Sequence, residues 1–270
     1  MPMPRKLALT LFLLLLVPAG ALAQGLPTTQ PPFLRIIRED VKPGHVADHT
    51  ITESGWPAAF AKAKWPDSYL AWESMTNNEV WFTIPHASYA AMGESLAREA
   101  DPAIAPELAR LSKADGEHLN SIRTIELRAR PELSHGAYPN LAGQRFWEVT
   151  IFRLRPGSEE AWTKAVNSYK AAAGRAGRKM SFRVYEVVAG MPSPTYFVFS
   201  SAAKFGDFDT MIADGEATMK AMTPEDAPIG KEFNQGLINT ETFRFRLSPE
   251  MSYVSDEVRA SDPGFWKPKK

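Results

Sequence analysis

The chain has 270 residues, of which 44% are hydrophobic and 11% aromatic, enough apolar material for one large domain or two of ordinary size. Lys and Arg number 31 and Asp and Glu also 31, so no overall charge attracts nucleic acid or an anionic membrane surface. The absence of cysteine excludes disulfides, thiol nucleophiles and cysteine-ligated metals. We therefore predict no nucleic-acid partner and a core stabilised by packing.

The first 23 residues have the pattern of a secretory signal peptide. Arg5 and Lys6 precede an apolar run over residues 7–17, and Ala21-Leu22-Ala23 matches the Ala-x-Ala pattern that precedes a cleavage position. A membrane span needs about 20 consecutive apolar residues, which neither this run nor any later one reaches. We expect cleavage after Ala23 and an exported, periplasmic or extracellular mature protein without a membrane span.

After an extended leader over residues 24–32, residues 33–135 show strand and helix patterns in the order β-α-β-β-α-β. Strand patterns cover residues 33–38, 69–75, 80–84 and 122–130. Helical patterns start at residue 45, are broken at the Gly55-Trp56-Pro57 segment, and resume over residues 88–99 and 103–113. The segment predicts one compact α+β unit.

Residues 145–253 repeat this order after a linker over residues 136–144. Pro43-Gly44 recurs 113 positions later as Pro156-Gly157, and the segment from Arg128 to Ser134 returns 118 positions later as Arg246 to Ser252. Self-similarity over so long a period indicates a duplicated unit. The remaining tail, residues 254–270, ends in a basic aromatic segment that we predict to be disordered.

The order β-α-β-β-α-β is that of a ferredoxin-like unit, an antiparallel sheet with helices on one face. Strand segments such as Val149-Thr150-Ile151-Phe152 are apolar on both sides, so both faces of each sheet must be covered. The fold class predicted is α+β, with two ferredoxin-like units packed sheet to sheet.

The segments 33–44 and 146–157 are each predicted to form a strand that ends in Lys-Pro-Gly or Arg-Pro-Gly before a helix. In these segments and the topology that follows, the chain resembles the dimeric α+β barrel superfamily, which includes antibiotic-biosynthesis monooxygenase-like and NIPSNAP-like domains. The resemblance covers residues 33–135 and 145–253. It implies a pseudo-dimeric barrel within one chain, as a monomer or a homodimer, with ligands between sheet and helices and haem in some branches.

All five histidines lie in the first unit, and His45, His49 and Glu53 are four residues apart on one helix face. With the 113-residue offset, His49 and Glu53 align with Trp162 and Val166, which the second unit should bury. One interpretation is a ligand pocket with His49 as acid/base or ligand and Glu53 as its partner. The other, which we favour, is a rotated helix with both groups at the surface. The spacing of His45, His49 and Glu53 could also supply metal ligands, but we favour this interpretation least and predict no metal site.

Large aromatic residues of the first unit, Trp56, Trp72 and Trp81, could line a ligand pocket, although packing in the core is the commoner role of such residues. Glu73 and Glu186 occupy matching strand positions, and we expect them to pair with arginines on neighbouring strands. The sequence contains no phosphate-binding loop, nucleophile elbow or dinucleotide fingerprint.

Three functions fit these observations. The first is an exported protein that binds a small apolar or aromatic ligand between sheet and helices. The second is an enzyme of the same fold, a cofactor-independent oxygenase or a haem-handling protein, that uses His49 and Glu53. The third is a structural or interaction module with its pockets filled by side chains. No cofactor is predicted from the residues, and haem enters only through the resemblance.

Overall fold

The computed structural model describes residues 25–266; the predicted signal peptide and residues 267–270 lie outside this part of the chain. Its strands are β1 (Phe33–Val41), β2 (Tyr69–Ser74), β3 (Glu79–His86), β4 (Leu119–Ala129), β5 (Phe146–Leu154), β6 (Arg183–Ala189), β7 (Thr195–Ala202) and β8 (Leu237–Tyr253). Its α-helices are α1 (Val46–Glu53), α2 (Gly55–Lys62), α3 (Tyr89–Glu99), α4 (Ala105–Asp115), α5 (Glu159–Arg175), α6 (Asp207–Lys220), α7 (Asp226–Gly236), α8 (Asp256–Ser261) and α9 (Pro263–Trp266).

The strands form one closed barrel in the order β1-β3-β2-β8-β5-β7-β6-β4, with neighbouring strands antiparallel. The predicted α+β class is therefore confirmed. Strands from the first half of the chain lie in the order β4-β1-β3-β2, and those from the second half in the equivalent order β8-β5-β7-β6. The two halves meet along two seams, where β2 pairs with β8 and β4 pairs with β6.

Each seam carries a glutamate directly opposite an arginine. Glu73 on β2 pairs with Arg246 on β8, and Glu186 on β6 pairs with Arg128 on β4, 2.8 Å between Arg128 Nη2 and Glu186 Oε2. The expected glutamate–arginine pairs are therefore confirmed. Because exposed ion pairs contribute about 0–1 kcal/mol, their main effect is to favour this register of the strands over a shifted one.

The repeated segments at residues 128–134 and 246–252 end in serines that bind across the seams. Ser134 Oγ accepts a hydrogen bond from the Val184 backbone N–H, and Ser252 Oγ accepts one from the Ala71 backbone N–H, both at 2.9 Å. Each hydroxyl also donates to a carbonyl four residues earlier in its own segment. The repeated sequence therefore reflects the same hydrogen bond across both seams, from a backbone N–H to a serine hydroxyl.

The inner faces of all eight strands fill the barrel with large side chains. Trp81 is fully buried, and Trp72 of β2 stacks on Trp147 of β5 with 4.9 Å between ring centroids. The outer faces of the same strands pack against the helices, since alternate residues of a strand point to opposite sides. This double coverage explains why the strands are apolar on both sides.

The Pro-Gly segments that follow β1 and β5 turn the chain from strand to helix. Gly44 and Gly157 have φ angles of +86° and +87°, which side-chain-bearing residues rarely adopt. Equivalent backbone hydrogen bonds join the two turns to the start of the last strand of each half: Lys42 N–H to His118 O and Arg155 N–H to Gly236 O. The two strand-to-helix connections are thus built alike.

The C-terminal segment is ordered as far as the structure describes it, so the predicted disorder is wrong for residues 265 and 266. Trp266 is 1% exposed within the barrel core, and Phe265 packs on the guanidinium of Arg145, 3.8 Å from ring centroid to Cζ. The leader closes the same end of the barrel, where Leu26 contacts the core and the Tyr185 hydroxyl donates to Pro31 O. Among the described residues, no helix has the length and apolarity of a membrane span.

Replacing either seam serine tests whether the repeated segments stabilise barrel closure. Ser252→Ala and Ser134→Ala should each lower the free energy of unfolding by about 1–3 kcal/mol, because a buried backbone N–H loses its acceptor. Urea unfolding followed by tryptophan fluorescence gives the values. Ser121→Ala, at an exposed position of β4, is the control. Losses no larger than that of the control would contradict the role assigned to these hydroxyls.

Candidate functional site

Four ionisable side chains meet in the first half of the chain, between the outer face of β1 and the helices α1 and α4. They are Glu39, His49, Glu53 and Asp115, none more than 5% exposed. One ligand-type atom from each lies within 4.8 Å of those of the other three. We refer to these residues as the buried tetrad.

His49 lies at the centre of the contacts between these groups. Its Nε2 is 2.9 Å from Glu39 Oε2, a hydrogen bond, and 3.6 Å from Asp115 Oδ1, too far for one. Within the part of the chain that the structure describes, Asp115 Oδ1 and His49 Nδ1 have no hydrogen-bond partner. One imidazole therefore faces two carboxylates and satisfies only one of them.

Local structure explains how the tetrad is assembled. Glu39 points outward from β1 because it is an odd number of residues from the inward-facing Ile36. His49 and Glu53 lie one turn apart on α1, on the face that packs against the barrel. Asp115 is the last residue of α4. This helix packs so near to Gly55, the first residue of α2, that a methyl group on Gly55 would lie 2.6 Å from Leu111 Cδ2.

Burial dominates the electrostatics of the tetrad. It raises the pKa of Glu53 well above the ordinary value, and the negative charges of Glu39 and Asp115 add to the rise. Burial also raises the pKa of Asp115 to about 6, with Glu39 adding to the rise and His49 opposing it. The pKa of Tyr69 is raised by burial and by the nearby Glu53 and Glu39. The cluster contains three carboxyl groups and one imidazole, so ionising all three carboxyl groups at once would be unfavourable.

The structure brings His49 and Glu53 together as inward-facing groups, so the interpretation that placed both at the surface is wrong. Sequence reasoning missed Glu39 and Asp115. The signal for Glu39 was its position on the outer, helix-covered face of a strand, aligned with the apolar Phe152. Asp115, at the end of a helix, reads as an ordinary surface residue.

The equivalent space in the second half of the chain is apolar throughout. The matching backbone hydrogen bonds at the two Pro-Gly turns equate Lys42 with Arg155, an offset of 113 residues, and His118 with Gly236, an offset of 118. The first offset aligns Glu39, His49 and Glu53 with Phe152, Trp162 and Val166, and the second aligns Asp115 with Phe233. Trp162 lies 4.8 Å from Phe152 and 5.8 Å from Phe233 between ring centroids. Four apolar groups in one half thus correspond to four ionisable groups in the other.

The second half also contains the largest cavity described, about 1170 Å³, between the outer face of its strands and the helices α5, α6 and α7. Strand residues in its wall include Phe152, Val184, Val198 and Thr242. Helix residues in its wall include Trp162, Tyr169, Met211, Met219 and Phe233. None of the tetrad residues lines it.

The structure does not bring the predicted aromatic residues into one pocket. Trp56 is half-buried beside Phe60 in the helix-covered core of the first half, whereas Trp72 and Trp81 point into the barrel. Trp72 borders a cavity of only about 70 Å³ at the end closed by the leader. Ligand pockets usually measure about 300–1,000 Å³, so Trp72 and Trp81 act as core residues here.

The residues around the large cavity do not fit a haem held by histidine or cysteine. The chain has no cysteine, and its five histidines lie outside the cavity wall. Tyr169 lies in the wall, but burial raises its pKa, which disfavours the phenolate that binds iron.

No protein-family model matches the sequence, and no curated protein does. Solved structures do resemble the fold. A candidate monooxygenase from Lactobacillus acidophilus NCFM aligns with a TM-score of 0.51 and 7% identity over 83% of this chain and 97% of that one. An anthrone oxidase-like protein aligns with a TM-score of 0.54 and 10% identity over 82% of this chain and 93% of that one.

A chlorite dismutase variant from Candidatus Nitrospira defluvii aligns with a TM-score of 0.50 and 12% identity over 86% of this chain and 96% of that one. Identities this low show the fold alone. The closed eight-stranded barrel and these likenesses together place the chain in the dimeric α+β barrel fold, as its sequence resemblance implied.

A pH titration of stability tests the burial of Glu53. A carboxyl whose pKa is raised by folding favours the folded state at acidic pH, and this contribution is lost as the pH rises through the folded pKa. Glu53→Gln imitates the protonated form. In buffer with a chelator, the free energy of unfolding of the variant should rise by about 1–3 kcal/mol relative to that of the wild type between pH 4 and pH 8.

The measurement is urea unfolding at each pH, with Glu94→Gln on the exposed face of α3 as the control. The groups that face Glu53 are Glu39, Asp115, His49 and Tyr69, and they are unchanged in both variants. If the difference in free energy of unfolding between wild type and Glu53→Gln did not change with pH, the raised pKa of Glu53 would be contradicted.

Proposed function

We propose that the protein binds a small apolar or aromatic ligand in the cavity of about 1170 Å³ between the sheet and helices of its second half. The size of this cavity is the observation that carries the proposal. It is a cleft that opens to solvent, since Ile212 and Met219 in its wall are 51% and 60% exposed, and concave sites of roughly 300–1,000 Å³ or more are the usual binding places of small ligands. A hollow of this volume, at the place where the other half is filled, indicates space kept for a ligand.

The first half supplies the comparison within the same chain. There Phe60, Trp65 and Tyr69 pack together with Phe82 and with Tyr253, which β8 adds from across the seam, and the ring centroids are 4.8–6.4 Å apart. The second half has helices of similar arrangement but leaves the corresponding layer partly open. The difference supports binding in one half and structural packing in the other.

The chemistry of the wall favours an apolar or aromatic ligand. Methionine side chains adapt their shape to a ligand and make favourable contacts with aromatic rings; they are Met180, Met211, Met219 and Met222. Several charged groups in the wall are already paired within the protein, as Arg244 is with Glu148 at 2.9 Å and Asp226 with Arg175 at 2.7 Å. Ligand selection would therefore rest on shape and apolar contact.

We also propose that the barrel is a pseudo-dimer that arose by tandem duplication of a ferredoxin-like unit. The equivalent strand orders, the matched serines of the two seams and the matched Pro-Gly turns support this origin. Residues 1–23 are proposed as a secretory signal and the mature protein as exported. The basic residues, apolar run and Ala-x-Ala sequence at the N-terminus support that location.

An oxygenase that acts on a ligand held in the same cavity is the second candidate. The solved structures that resemble this fold include a candidate monooxygenase and an anthrone oxidase-like protein, and this observation favours it. His49 and Glu53 do not line the cavity, so such a reaction would depend on other groups. Oxygen uptake by the ligand-loaded protein distinguishes the two candidates.

Filling the cavity tests the binding proposal. Val198→Trp places an indole in the cavity wall and should raise the Kd of an uncharged aromatic probe, N-phenyl-1-naphthylamine, by about tenfold or more. Val188→Trp, the same substitution at a 48%-exposed position of β6, is the matched control and should leave the Kd unchanged. Calorimetry gives both values. Equal Kd values for the two folded variants would contradict binding at this cavity.

A further inference from the structure

The buried tetrad carries more negative charge than its surroundings neutralise. Even with His49 protonated, three ionised carboxylates would leave two uncompensated negative charges among groups no more than 5% exposed. Buried charges without partners cost several kcal/mol, so such groups are found either protonated or bound to a cation. The site must therefore hold protons or a metal ion.

The geometry of the tetrad is close to that of a metal site. Glu39 Oε2 and Asp115 Oδ1 both lie near His49 Nε2, at 2.9 Å and 3.6 Å. Two donors bound to the same ion at about 2.0–2.2 Å are themselves about 3.3–3.6 Å apart in a tetrahedral site, so the Asp115 distance already matches and the Glu39 hydrogen bond would open by a few tenths of an ångström. Asp115 Oδ1 is aimed into the cluster, is buried, and has no hydrogen-bond partner among the described residues.

We propose that Glu39, His49, Glu53 and Asp115 bind one divalent transition-metal ion of the zinc or manganese class. A nitrogen donor combined with carboxylates suits these ions, whereas magnesium and calcium prefer oxygen donors alone. His49 Nε2 would give up its proton to the solvent as the ion binds, since a metal ligand must be unprotonated. Glu39 and Asp115 join His49 and Glu53 only through tertiary packing, so this set of ligands does not follow from the sequence, which predicted no metal site.

The site would be structural rather than catalytic. All four donors come from the protein, none is more than 5% exposed, and none lines either the large cavity or the small one. Catalytic sites keep a coordination position open, whereas structural sites are closed by protein ligands. The ion would join β1, α1 and α4, in the place where the second half joins the equivalent elements through Phe152, Trp162 and Phe233.

An exposed group of similar composition offers a matched control. His45 and His118 lie with their Nδ1 atoms 3.2 Å apart, and Asp48 is beside them, partly or fully exposed. Histidines on a protein surface bind zinc weakly without a structural role. Substitutions in this group separate such surface binding from binding at the tetrad.

The experiment starts from protein stripped with a chelator, to which Zn²⁺, Mn²⁺ or Ca²⁺ is added. We expect one equivalent of Zn²⁺ or Mn²⁺ to bind by calorimetry and to raise Tm by about 5–10 °C at 100 times Kd, with Ca²⁺ far weaker. Glu53→Gln and Asp115→Asn should each weaken binding by tenfold or more. His45→Ala combined with His118→Ala should retain the tight site and its Tm shift.

X-ray absorption of the zinc-loaded wild type gives a readout that does not depend on any variant folding. The outer-shell scattering of imidazole rings counts the histidine ligands, and one histidine with all first-shell donors near 2.0–2.2 Å is expected. Two histidines, or loss of binding in the His45/His118 variant alone, would assign the ion to the surface group and overturn the proposal. So would the absence of any Tm shift in the wild type.

Discussion

Barrel closure depends on two strand pairings between distant parts of the chain, β2 with β8 and β4 with β6. Without them each half would present two strands with unpaired backbone groups and an uncovered apolar face, which are features that promote aggregation. Both seams use the same devices, an arginine opposite a glutamate and a serine hydroxyl that accepts a backbone N–H. Pairing of the edges and burial of the shared core are therefore achieved together.

The closed barrel leaves each half free to use its outer layer differently. The barrel core is shared by both halves, whereas the layer between sheet and helices comes mainly from one half, with a few residues such as Tyr253 or Leu133 added by the other. In the first half this layer is filled by aromatic rings and four ionisable groups; in the second it keeps a cavity of about 1170 Å³. The filled layer is covered by α1 and α2, which are separated by a break at Ser54, whereas the layer with the cavity is covered by the uninterrupted α5. Two copies of one topology thus support two kinds of interior.

Much of the fold could be predicted because its signals are local. Strands that are apolar on both sides indicated coverage of both faces, and the Pro-Gly turns and repeated segments indicated the order of elements. A helix break was predicted at Gly55-Trp56-Pro57; it lies one residue earlier, at Ser54, and the three residues form the first turn of α2. The C-terminal segment was not predicted correctly, because Trp266 is ordered by contacts with a core assembled from residues far away in sequence.

The candidate site was only half predictable for the same reason. His49 and Glu53 are one helical turn apart, so their shared face follows from spacing. Glu39 and Asp115 join them only through tertiary packing, since no local pattern distinguishes a buried carboxylate on a covered strand from one at the surface. The cavity is an absence of side-chain volume in three dimensions, which no stretch of sequence displays.

The late position of β8 in the chain, relative to its partner β2, has a consequence for the order of folding. Ser252 bonds to Ala71, which lies 181 residues earlier, and Trp266 enters the same core after it. During synthesis β2 and β3 leave the ribosome well before these partners do, so the edge of β2 and the inner face that carries Trp81 stay uncovered until β8 follows. Closure of the barrel is thus a late step of folding.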